Sequence, residues 1–295
     1  MRTTHSPSNV SSDHPRSSHK RPHVSELIAR ALKALTGALF IAAALFPLLW
    51  MVIAGFKSKT EVIQTPFQFF PEVWKWQNYA HIAEDRVFLR AMAWTFAGAV
   101  LFTLLSLTVN SLAAYAFARL EFRGKNLLWV IVITTMFIPG MTILLTSFIV
   151  VTKLKMLDTL AVLVLPGAAS AATIFFIRQF YLNIPSSLEE AAMLDGCSRF
   201  GIFRYLFLPL SKPPFVVMGI TSFLAYWNSY VWPIMTITSP EKFVVQQYLA
   251  SFRSERSSEL GQLMAGSALA ALPVILLFLV FQKQIIGNIK MAGLK

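Results

Sequence analysis

Charged side chains and cysteine are scarce in this sequence. Asp, Glu, Lys and Arg together make up 14% of its 295 residues, whereas 56% of the residues are hydrophobic. This composition excludes an ordinary soluble domain, and a mean hydropathy of +0.59 indicates that the lipid bilayer is the main solvent. The single cysteine, Cys197, excludes an internal disulfide and is interpreted as a small helix-packing residue.

The formal net charge of +12 would suggest nucleic-acid binding only if the positive residues clustered on a folded polar face. They flank hydrophobic runs instead, so no nucleic-acid partner is predicted. Residues 1–30 are predicted to be a disordered cytoplasmic tail, because Ser, Pro and His dominate its beginning and leave little to bury. Four of the five histidines lie there. A metal site is an alternative, but the irregular spacing and the lack of partner cysteines favour a solvated tail, so no metal is assigned.

Residues 31–295 are predicted to form an all-α transmembrane domain. Six apolar segments are each long enough to cross a hydrocarbon core of roughly 30 Å at about 1.5 Å per residue. Prolines fall in five of the six, which membrane helices tolerate. The predicted spans are 34–56, 91–118, 126–151, 159–177, 213–237 and 260–281.

The distribution of Lys and Arg predicts the orientation of these spans. If the amino terminus is cytoplasmic, sixteen of the 26 Lys and Arg residues lie inside, and the outer ten are offset by eight acidic residues. The positive-inside rule therefore predicts that both termini are cytoplasmic. The same topology places the loop 178–212, between spans four and five, in the cytoplasm.

The segment Ser186–Leu210 interrupts the apolar runs with several charges. Ser186 and Ser187 are each followed three residues later by a glutamate, which gives two overlapping capping-box patterns and predicts that a helix begins here. Gly196 is expected to end this helix. A second short helix is predicted over CSRFGIFRYLF, and Pro209 is expected to end or kink it. From these properties alone, an amphipathic helix lying on the membrane surface is an alternative.

One motif in this segment has a long and fixed spacing. Glu190-Ala191-Ala192 is followed after three residues by Gly196 and after nine more by Leu206-Phe207-Leu208-Pro209. This pattern resembles the EAA loop in the membrane subunits of ATP-binding-cassette (ABC) importers, with Leu206 in place of the usual isoleucine. Further stretches resemble the carbohydrate branch of these permeases, the maltose permease-like proteins: AAYAFARLEFRGKN (113–126), FFIRQFYLNIPSSLEEAAMLDG (175–196), LPLSKP (208–213) and YWNSYVWP (226–233).

The resemblance implies a type I ABC importer permease fold, in which this loop forms a coupling helix that docks into a cleft of the ATPase. It also implies three kinds of partner: a second homologous permease subunit, an ATPase dimer and an extracytoplasmic solute-binding protein. Ser229 stands where the family usually has an acid, so a role tied to that carboxylate is not carried over. The predicted ATPase-coupling positions are Glu189, Glu190, Ala191, Ala192, Gly196, Leu208 and Pro209.

No ATP site is predicted in this chain, because GCSRFGIF has Ile-Phe where a phosphate-binding loop requires Lys and Ser or Thr. ATP and Mg are therefore assigned to separate ATPase subunits. The six predicted spans contain no Asp, Glu, His, Lys or Arg, and the sequence shows neither an HExxH motif nor a Ser-His-Asp set. These features predict a transporter subunit without catalytic residues rather than an enzyme, and they disfavour a proton- or sodium-coupled carrier. A channel remains an alternative.

The candidates for a translocation path are neutral side chains, because aromatic rings pack on the apolar faces of sugars while amides and hydroxyls reach sugar OH groups. For the aromatic residues, the alternatives are an interfacial belt or helix packing. For Asn110, the alternative is an interhelical hydrogen bond. The predicted path residues are Asn110, Tyr226, Trp227, Asn228 and Tyr230, with Thr134, Thr135 and Trp232 as further candidates.

The sequence thus predicts a multi-pass permease subunit of the bacterial inner membrane. It is expected to take a sugar or oligosaccharide from the binding protein into the cytoplasm. A polyol, glycerol phosphate or a charged oligosaccharide is the alternative solute, and an uncoupled channel is the alternative outside the family.

Overall fold

The computed structural model describes residues 24–254 and 259–292, and these residues form helices and loops without a β-strand. A π-helical turn at Phe203–Phe207 joins α10 to α11, and a 3-10 turn at Pro240–Lys242 precedes α14. The α-helices are α1 Val24–Ala54, α2 Lys59–Val62, α3 Gln77–Glu84, α4 Arg86–Arg119, α5 Lys125–Thr135, α6 Gly140–Lys153, α7 Leu160–Val164, α8 Ala171–Leu182, α9 Ser186–Leu194, α10 Arg199–Ile202, α11 Leu208–Leu210, α12 Lys212–Trp227, α13 Val231–Thr236, α14 Val245–Ser254 and α15 Leu260–Ala292.

The chain divides into two compact units, Met1–Leu49 and Trp50–Lys295. The described part of the first unit is residues 24–49 of α1. In it, the Thr36 hydroxyl donates to the Leu32 carbonyl at 2.8 Å. Helix α1 begins at Val24, so it includes the last residues of the range 1–30 that was predicted as a tail. The strong helix formers in SELIARALKAL explain this difference. The rest of the predicted tail, residues 1–23, lies outside the described residues.

Within the described residues, three helices are long and apolar enough to cross a membrane: Arg30–Ala54 of α1, the whole of α4, and Leu260–Gln284 of α15. Two bent helix pairs meet the same criterion if each is counted as one span, which gives up to five. Helix α8 is a shorter apolar helix of 12 residues. Each of the six apolar segments in the sequence overlaps one of these helices.

The segment 126–151, predicted as one span, forms the two helices α5 and α6 with an angle of 105° between them. The break falls just before Pro139, which has no N–H to continue a helix and restricts the residue that precedes it. Thr134 and Thr135 close α5, and their hydroxyls donate to Val130 and Val132 carbonyls of the same helix. Both hydroxyls are therefore used within α5.

The segment 159–177, predicted as a fourth span, is also interrupted. Helix α7 ends at Val164, and α8 begins at Ala171 after a connection that contains Pro166 and Gly167. Each helix has its own cap: the Thr159 hydroxyl accepts from Val162 N–H, and the Ser170 hydroxyl accepts from Thr173 N–H, both at 3.3 Å. The chain thus starts two short helices here instead of one long one.

Helix α4 organises the second unit, since both α8 and α12 pack along it. Near its middle, a cluster that includes Ala99, Phe223 and Trp227 is buried. Near its carboxyl end, a second cluster includes Tyr115 and Phe207. One helix therefore passes through both hydrophobic cores.

Asp158 fixes the loop between α6 and α7 to the segment that follows α13. Its carboxylate accepts hydrogen bonds of 3.1 Å from the backbone N–H groups of Thr238 and Ser239, and a further bond from the Ser239 hydroxyl. Lys242 adds an ion pair at 3.6 Å. The hydroxyl of Ser239 is the main cause that lowers the pKa of Asp158 to about 2.

Candidate functional site

Helix α9 forms the beginning of the polar segment between α8 and α12. It starts at Ser186, where the sequence predicted a start, but the predicted capping boxes are wrong. Pro185 occupies the N-cap position and no side chain caps the helix, so Ser186 and Ser187 lie inside the first turn, too late to cap it. The Pro185 carbonyl accepts from the Leu188 N–H at 3.3 Å.

The carboxyl end of α9 is closed by a Schellman motif. Gly196 adopts a φ of +81°, a conformation that costs residues with a Cβ more than it costs glycine. Its N–H donates to the Met193 carbonyl, and the Cys197 N–H donates to the Ala192 carbonyl, both at 3.0 Å. The glycine therefore ends α9, as the sequence predicted.

Glu189 points from α9 into the protein. It is one of the few buried charged residues, with 7% of its surface exposed. One carboxylate oxygen accepts a hydrogen bond of 2.7 Å from Arg199 of α10. The other lies 3.9 Å from Nε of Arg119, at the end of α4. Because an uncompensated buried charge is costly, this carboxylate depends on its two arginines.

Arg119 joins three elements at the place where α4 ends. Its guanidinium donates to the carbonyl of Tyr181 at 2.6 Å and to the carbonyl of Ile184, so it satisfies acceptors left free at the end of α8. It also lies 5.3 Å from the centre of the Phe207 ring. Its Nε has no hydrogen-bond partner among the described residues and faces only Glu189.

Two further contacts tie the polar segment to the membrane helices. The Tyr115 hydroxyl of α4 donates to the Arg199 carbonyl at 3.2 Å, and the Ser211 hydroxyl donates to the Tyr181 hydroxyl at the same distance. Neither Arg119 nor Arg199 is among the site residues predicted from the sequence. The sequence signal that could have singled out Arg119 is its position as the first charged residue after the long uncharged run of α4.

The opposite face of α9 is exposed. Glu190 and Ala191 lie on the surface, and Leu194 has 90% of its area exposed. Glu190 also borders a cavity of about 270 Å³ between the end of α4 and α9, beside the buried ion pairs. Leu208 and Pro209 are exposed in α11, directly after the buried Phe207. Of the predicted coupling residues on α9, Glu190 and Ala191 are thus exposed, whereas Glu189 faces inward and Ala192 packs half-buried against the core.

A second feature is an open cavity of about 270 Å³ bordered by α4, α6, α12, α13 and the connection at Pro166. Its walls include the rings of Phe102, Tyr226 and Trp232, together with the hydroxyls of Ser147 and Ser229. Among the described residues that line it, none carries a charge. The lining thus resembles that of sites for small neutral molecules, which combine apolar and aromatic walls with a few polar groups.

Tyr226 lies where α12 contacts α4. Its ring centre is 5.6 Å from that of Phe102, and its hydroxyl is buried without a hydrogen-bond partner among the described residues. The absence of a side chain on Gly98 makes room for it, since a Cβ there would come within 2.0 Å of the hydroxyl oxygen. Trp232 is held in place by a hydrogen bond of 2.9 Å from its indole N–H to the Val162 carbonyl.

The other predicted path residues do not border this cavity. Trp227 is 2% exposed and stacks on Phe223 with ring centres 5.6 Å apart. Trp227 and Asn228 border a different cavity of about 230 Å³, which α12, α14 and α15 line. Tyr230 lies at the surface, 47% exposed. Of the five residues predicted to line one path, Tyr226 is the one that borders the uncharged cavity.

Asn110 lies in the interior of α4 and is fully buried. Its amide N–H groups donate to the Ser106 hydroxyl and carbonyl and to the Ala168 carbonyl, at 2.7 to 2.9 Å. Its amide oxygen accepts from the Ser170 N–H at 2.8 Å. These contacts fit the alternative predicted for Asn110, a hydrogen-bond partner between elements: the side chain holds the connection between α7 and α8 on α4, which uses its hydrogen-bonding capacity.

The described residues bring no three His, Cys, Asp or Glu side chains together in a group that could hold a metal ion. Their charges are concentrated in the projection around α9 and in the loops. Membrane-length apolar helices, a helical projection and a cavity without charge in its described lining together define a polytopic membrane transport component.

The chain matches the family described as "Binding-protein-dependent transport system inner membrane component" over residues 107–289, and it belongs to this family. It is 31% identical over 267 residues to the arabinooligosaccharides transport system permease protein AraQ of Halalkalibacterium halodurans, covering 88% of this chain and 94% of that protein. It is 29% identical over 271 residues to the diacetylchitobiose uptake system permease protein NgcG of Streptomyces coelicolor, covering 88% of each.

A solved structure has the same fold. It is the crystal structure of a bacterial ABC transporter involved in the import of the acidic polysaccharide alginate. A chain of it aligns with a TM-score of 0.75 and 24% sequence identity, covering 90% of this chain and 99% of that one. These comparisons confirm the predicted all-α permease fold and the predicted family. The chain is an ABC importer permease, an inner-membrane component of a transport system.

Proposed function

We propose that this subunit moves an uncharged saccharide or oligosaccharide, delivered by an extracytoplasmic binding protein, into the cytoplasm. The observation that carries the proposal is the cavity beside Tyr226, whose described lining offers aromatic rings and hydroxyls and no charge. The names of the relatives support a saccharide, since AraQ is described as a permease for arabinooligosaccharides and NgcG as one for diacetylchitobiose.

The uncharged lining also bears on the alternative solutes. A glycerol phosphate or a uronic oligosaccharide would bring a negative charge into a cavity whose described lining has no cation to pair with it, and burying an unpaired charge is costly. The structural relative that takes alginate shares the fold at 24% identity, and it supports no particular solute for this chain. Polyols stay compatible with the cavity.

The energy for transport comes, in this proposal, from a separate ATPase dimer that binds ATP and Mg. The exposed side of α9 is the docking surface, with Glu190 and Ala191 on the helix and Gly196 at its end, whereas Ala192 packs half-buried against the core beneath the helix. Leu208 and Pro209 extend this surface on the neighbouring turn. Support comes from the match of these residues to the EAA loop and from the exposure of all of them except Ala192 on one projection.

The proposed topology places α9 and both termini in the cytoplasm. The support for this topology is that sixteen of the 26 Lys and Arg residues lie in the termini and loops that it places in the cytoplasm. A second, homologous permease subunit completes the proposed pathway, and the support for it is the match of this chain to a family of binding-protein-dependent transport components. Transport then consists of conformational change, without covalent chemistry in this chain.

The test is ATP hydrolysis by the complete complex, with both permease subunits, ATPase and binding protein, in proteoliposomes. The probes are a neutral pentose oligosaccharide, an N-acetylated disaccharide, a polyol and a uronic oligosaccharide. A neutral saccharide should stimulate hydrolysis and be taken up. Stimulation by the uronic oligosaccharide alone would contradict the solute assignment, and failure of the chain to purify with any ATPase subunit would contradict the importer mechanism.

A further inference from the structure

We propose that Arg119 and Glu189 form a joint that makes α9 and α4 move as one rigid body. In this proposal the two adjacent glutamates of the motif have different roles: Glu189 is a positioning residue inside the subunit, and Glu190 alone faces the partner. The proposal rests on the proposed function only in that the partner is taken to be the ATPase.

The first observation is the asymmetry of the two glutamates. Adjacent residues of an α-helix point about 100° apart, so only one of them can face the end of α4. Glu189 does so, with 7% of its surface exposed, while Glu190 lies on the surface. Both carboxylate oxygens of Glu189 face arginines of this chain, at 2.7 Å from Arg199 and 3.9 Å from Arg119. Glu189 is thus occupied within the subunit before any partner binds.

The second observation is that other contacts of Arg119 fix its position, so it cannot move with α9 while α4 and α8 stay in place. Its guanidinium already donates to the carbonyls of Tyr181 and Ile184 at the end of α8. Its side chain is 12% exposed and contacts the Phe207 ring. A displacement of α9 therefore either breaks a buried ion pair or carries the ends of α4 and α8 with it, and the latter preserves every contact.

The third observation is a second polar contact, which joins α4 to α10, the helix that follows α9. The Tyr115 hydroxyl, one turn before Arg119 on α4, donates to the Arg199 carbonyl at 3.2 Å. Arg199 in turn holds Glu189. The carboxyl end of α4 thus contacts both α9 and α10. A hinge motion of α9 and α10 relative to α4 would have to break two polar contacts, that of Arg119 with Glu189 and that of Tyr115 with the Arg199 carbonyl.

Helix α4 extends from this joint to the uncharged cavity. Gly98 is 21 residues before Arg119, which is about 32 Å along the helix at 1.5 Å per residue. At that level the Tyr226 hydroxyl lies directly against Gly98. A movement imposed on α9 is therefore transmitted by one continuous helix to the wall of the cavity.

The experiment measures the distance between α9 and α4 directly. Cys197 is the only cysteine in the sequence and is exposed just after α9, and Leu112 of α4 is 39% exposed. Spin labels on Cys197 and on Leu112→Cys report this distance in the complete complex, both nucleotide-free and with ATP trapped. The wild-type background should give one narrow distance distribution that is the same in both states. The label is accepted only if it leaves ATP hydrolysis intact.

Glu189→Gln keeps the shape of the side chain and removes its charge, and Glu190→Gln is the matched control. Glu189→Gln should broaden the distance distribution and lower solute-stimulated ATP hydrolysis by about fivefold or more, the lower range of coupling between sites. The ATPase should still co-purify with it. Glu190→Gln should leave the distance narrow and weaken co-purification instead. Glu189→Asp, which restores the charge, should recover part of the stimulation.

Three results would overturn the joint: a wild-type distance that changes with nucleotide, full stimulation in Glu189→Gln, or the same defects in both glutamine variants. If Glu189→Gln yields too little folded protein, Arg199→Gln replaces it, since the Arg199 side chain is 55% exposed and its loss removes the 2.7 Å bond. If the wild-type chain binds no ATPase, the proposed function fails. The distance distributions of the solubilised chain with and without Glu189→Gln then still decide the joint.

Discussion

Arg199 donates a hydrogen bond of 2.7 Å to Glu189 across the turn at Gly196. This bond holds the two short helices α9 and α10 together, and the backbone of Gly196 makes the turn between them possible. The polar projection is therefore a small folded unit with its own turn, its own ion pair and one exposed face. Its geometry leads to the first prediction.

Replacing Gly196 by alanine should destabilise this turn by about 1–2 kcal/mol, the cost of a left-handed conformation for a residue with a Cβ. A Cβ at this position meets no atom within 4 Å, so the cost is conformational and not steric. The measurement is the thermal unfolding of the purified chain in detergent.

Gly124 provides a matched control for that variant. It has nearly the same φ, +82°, and an added Cβ would also point into open space, but it lies in the connection before α5. Gly124→Ala should cost a similar amount of stability and leave solute-stimulated ATP hydrolysis unchanged. If Gly196→Ala and Gly124→Ala lose solute-stimulated ATP hydrolysis to the same extent, general destabilisation, and not the α9 turn, is responsible for that loss.

Asn110→Leu should destabilise the chain, because it leaves the Ala168 carbonyl and the Ser170 N–H without their buried partner. Each orphaned group costs about 1–3 kcal/mol. Ser106→Ala is the control, since it removes one of several bonds to the amide and leaves those two groups satisfied. If Asn110→Leu unfolds like the wild type and mainly raises the KM for uptake, Asn110 lines the path after all.

Tyr226→Phe should not destabilise the chain, because the hydroxyl it removes is buried without a hydrogen-bond partner among the described residues. Gly98→Ala should destabilise it, since the added Cβ would lie 2.0 Å from that hydroxyl. The double variant should recover only part of the loss, because the ring carbon behind the hydroxyl is still 2.5 Å away. The measurement is the thermal unfolding of the three variants in detergent. If the double variant regains all of the stability lost in Gly98→Ala, or none of it, the described packing is contradicted.

The ion pair and hydrogen bonds of Asp158 should make stability depend on pH in a narrow acidic range. The Ser239 hydroxyl is the main cause that lowers its pKa from 3.8 to about 2. A lowered pKa adds stability that is fully present above the unfolded value of 3.8 and is lost as the pH falls through about 2. The melting temperature of Asp158→Asn should thus lie below that of the wild type at neutral pH and approach it between pH 4 and 2.

Glu241→Gln is the control for the pH experiment, since this exposed carboxylate lies in the same loop region. Its melting curve should follow that of the wild type across the range. A constant difference between Asp158→Asn and the wild type down to pH 2 would contradict the contribution of the Asp158 charge.

The sequence predicted the parts of the fold that local patterns determine. The apolar segments follow from hydropathy and the end of α9 at Gly196 from the properties of glycine, while the start at Ser186 was predicted from a capping pattern that the helix does not use. The breaks before Pro139 and at Pro166 could not be predicted, because membrane helices also tolerate proline without breaking. The capping boxes failed for a related reason: the sequence does not say that Pro185 takes the N-cap position.

The sequence could not separate the roles of Glu189 and Glu190, because the difference depends on Arg119, which is distant in the chain. The same holds for Asn110, whose partners at Ala168 and Ser170 become visible only when α4 and α8 are packed. For the path residues, chemical type grouped Tyr226 with Trp227, but their orientations on α12 place them in different surroundings. Tertiary contacts decided each of these cases.

The most direct test of the role of α9 is solute uptake and ATP hydrolysis measured together in proteoliposomes that contain the complete complex with Gly196→Asp. This variant adds a side chain and a charge at the end of α9, where the backbone favours glycine. We predict that the complex inserts in the membrane and that neither uptake nor solute-stimulated hydrolysis remains. Normal uptake coupled to ATP hydrolysis in this variant would contradict the role of α9.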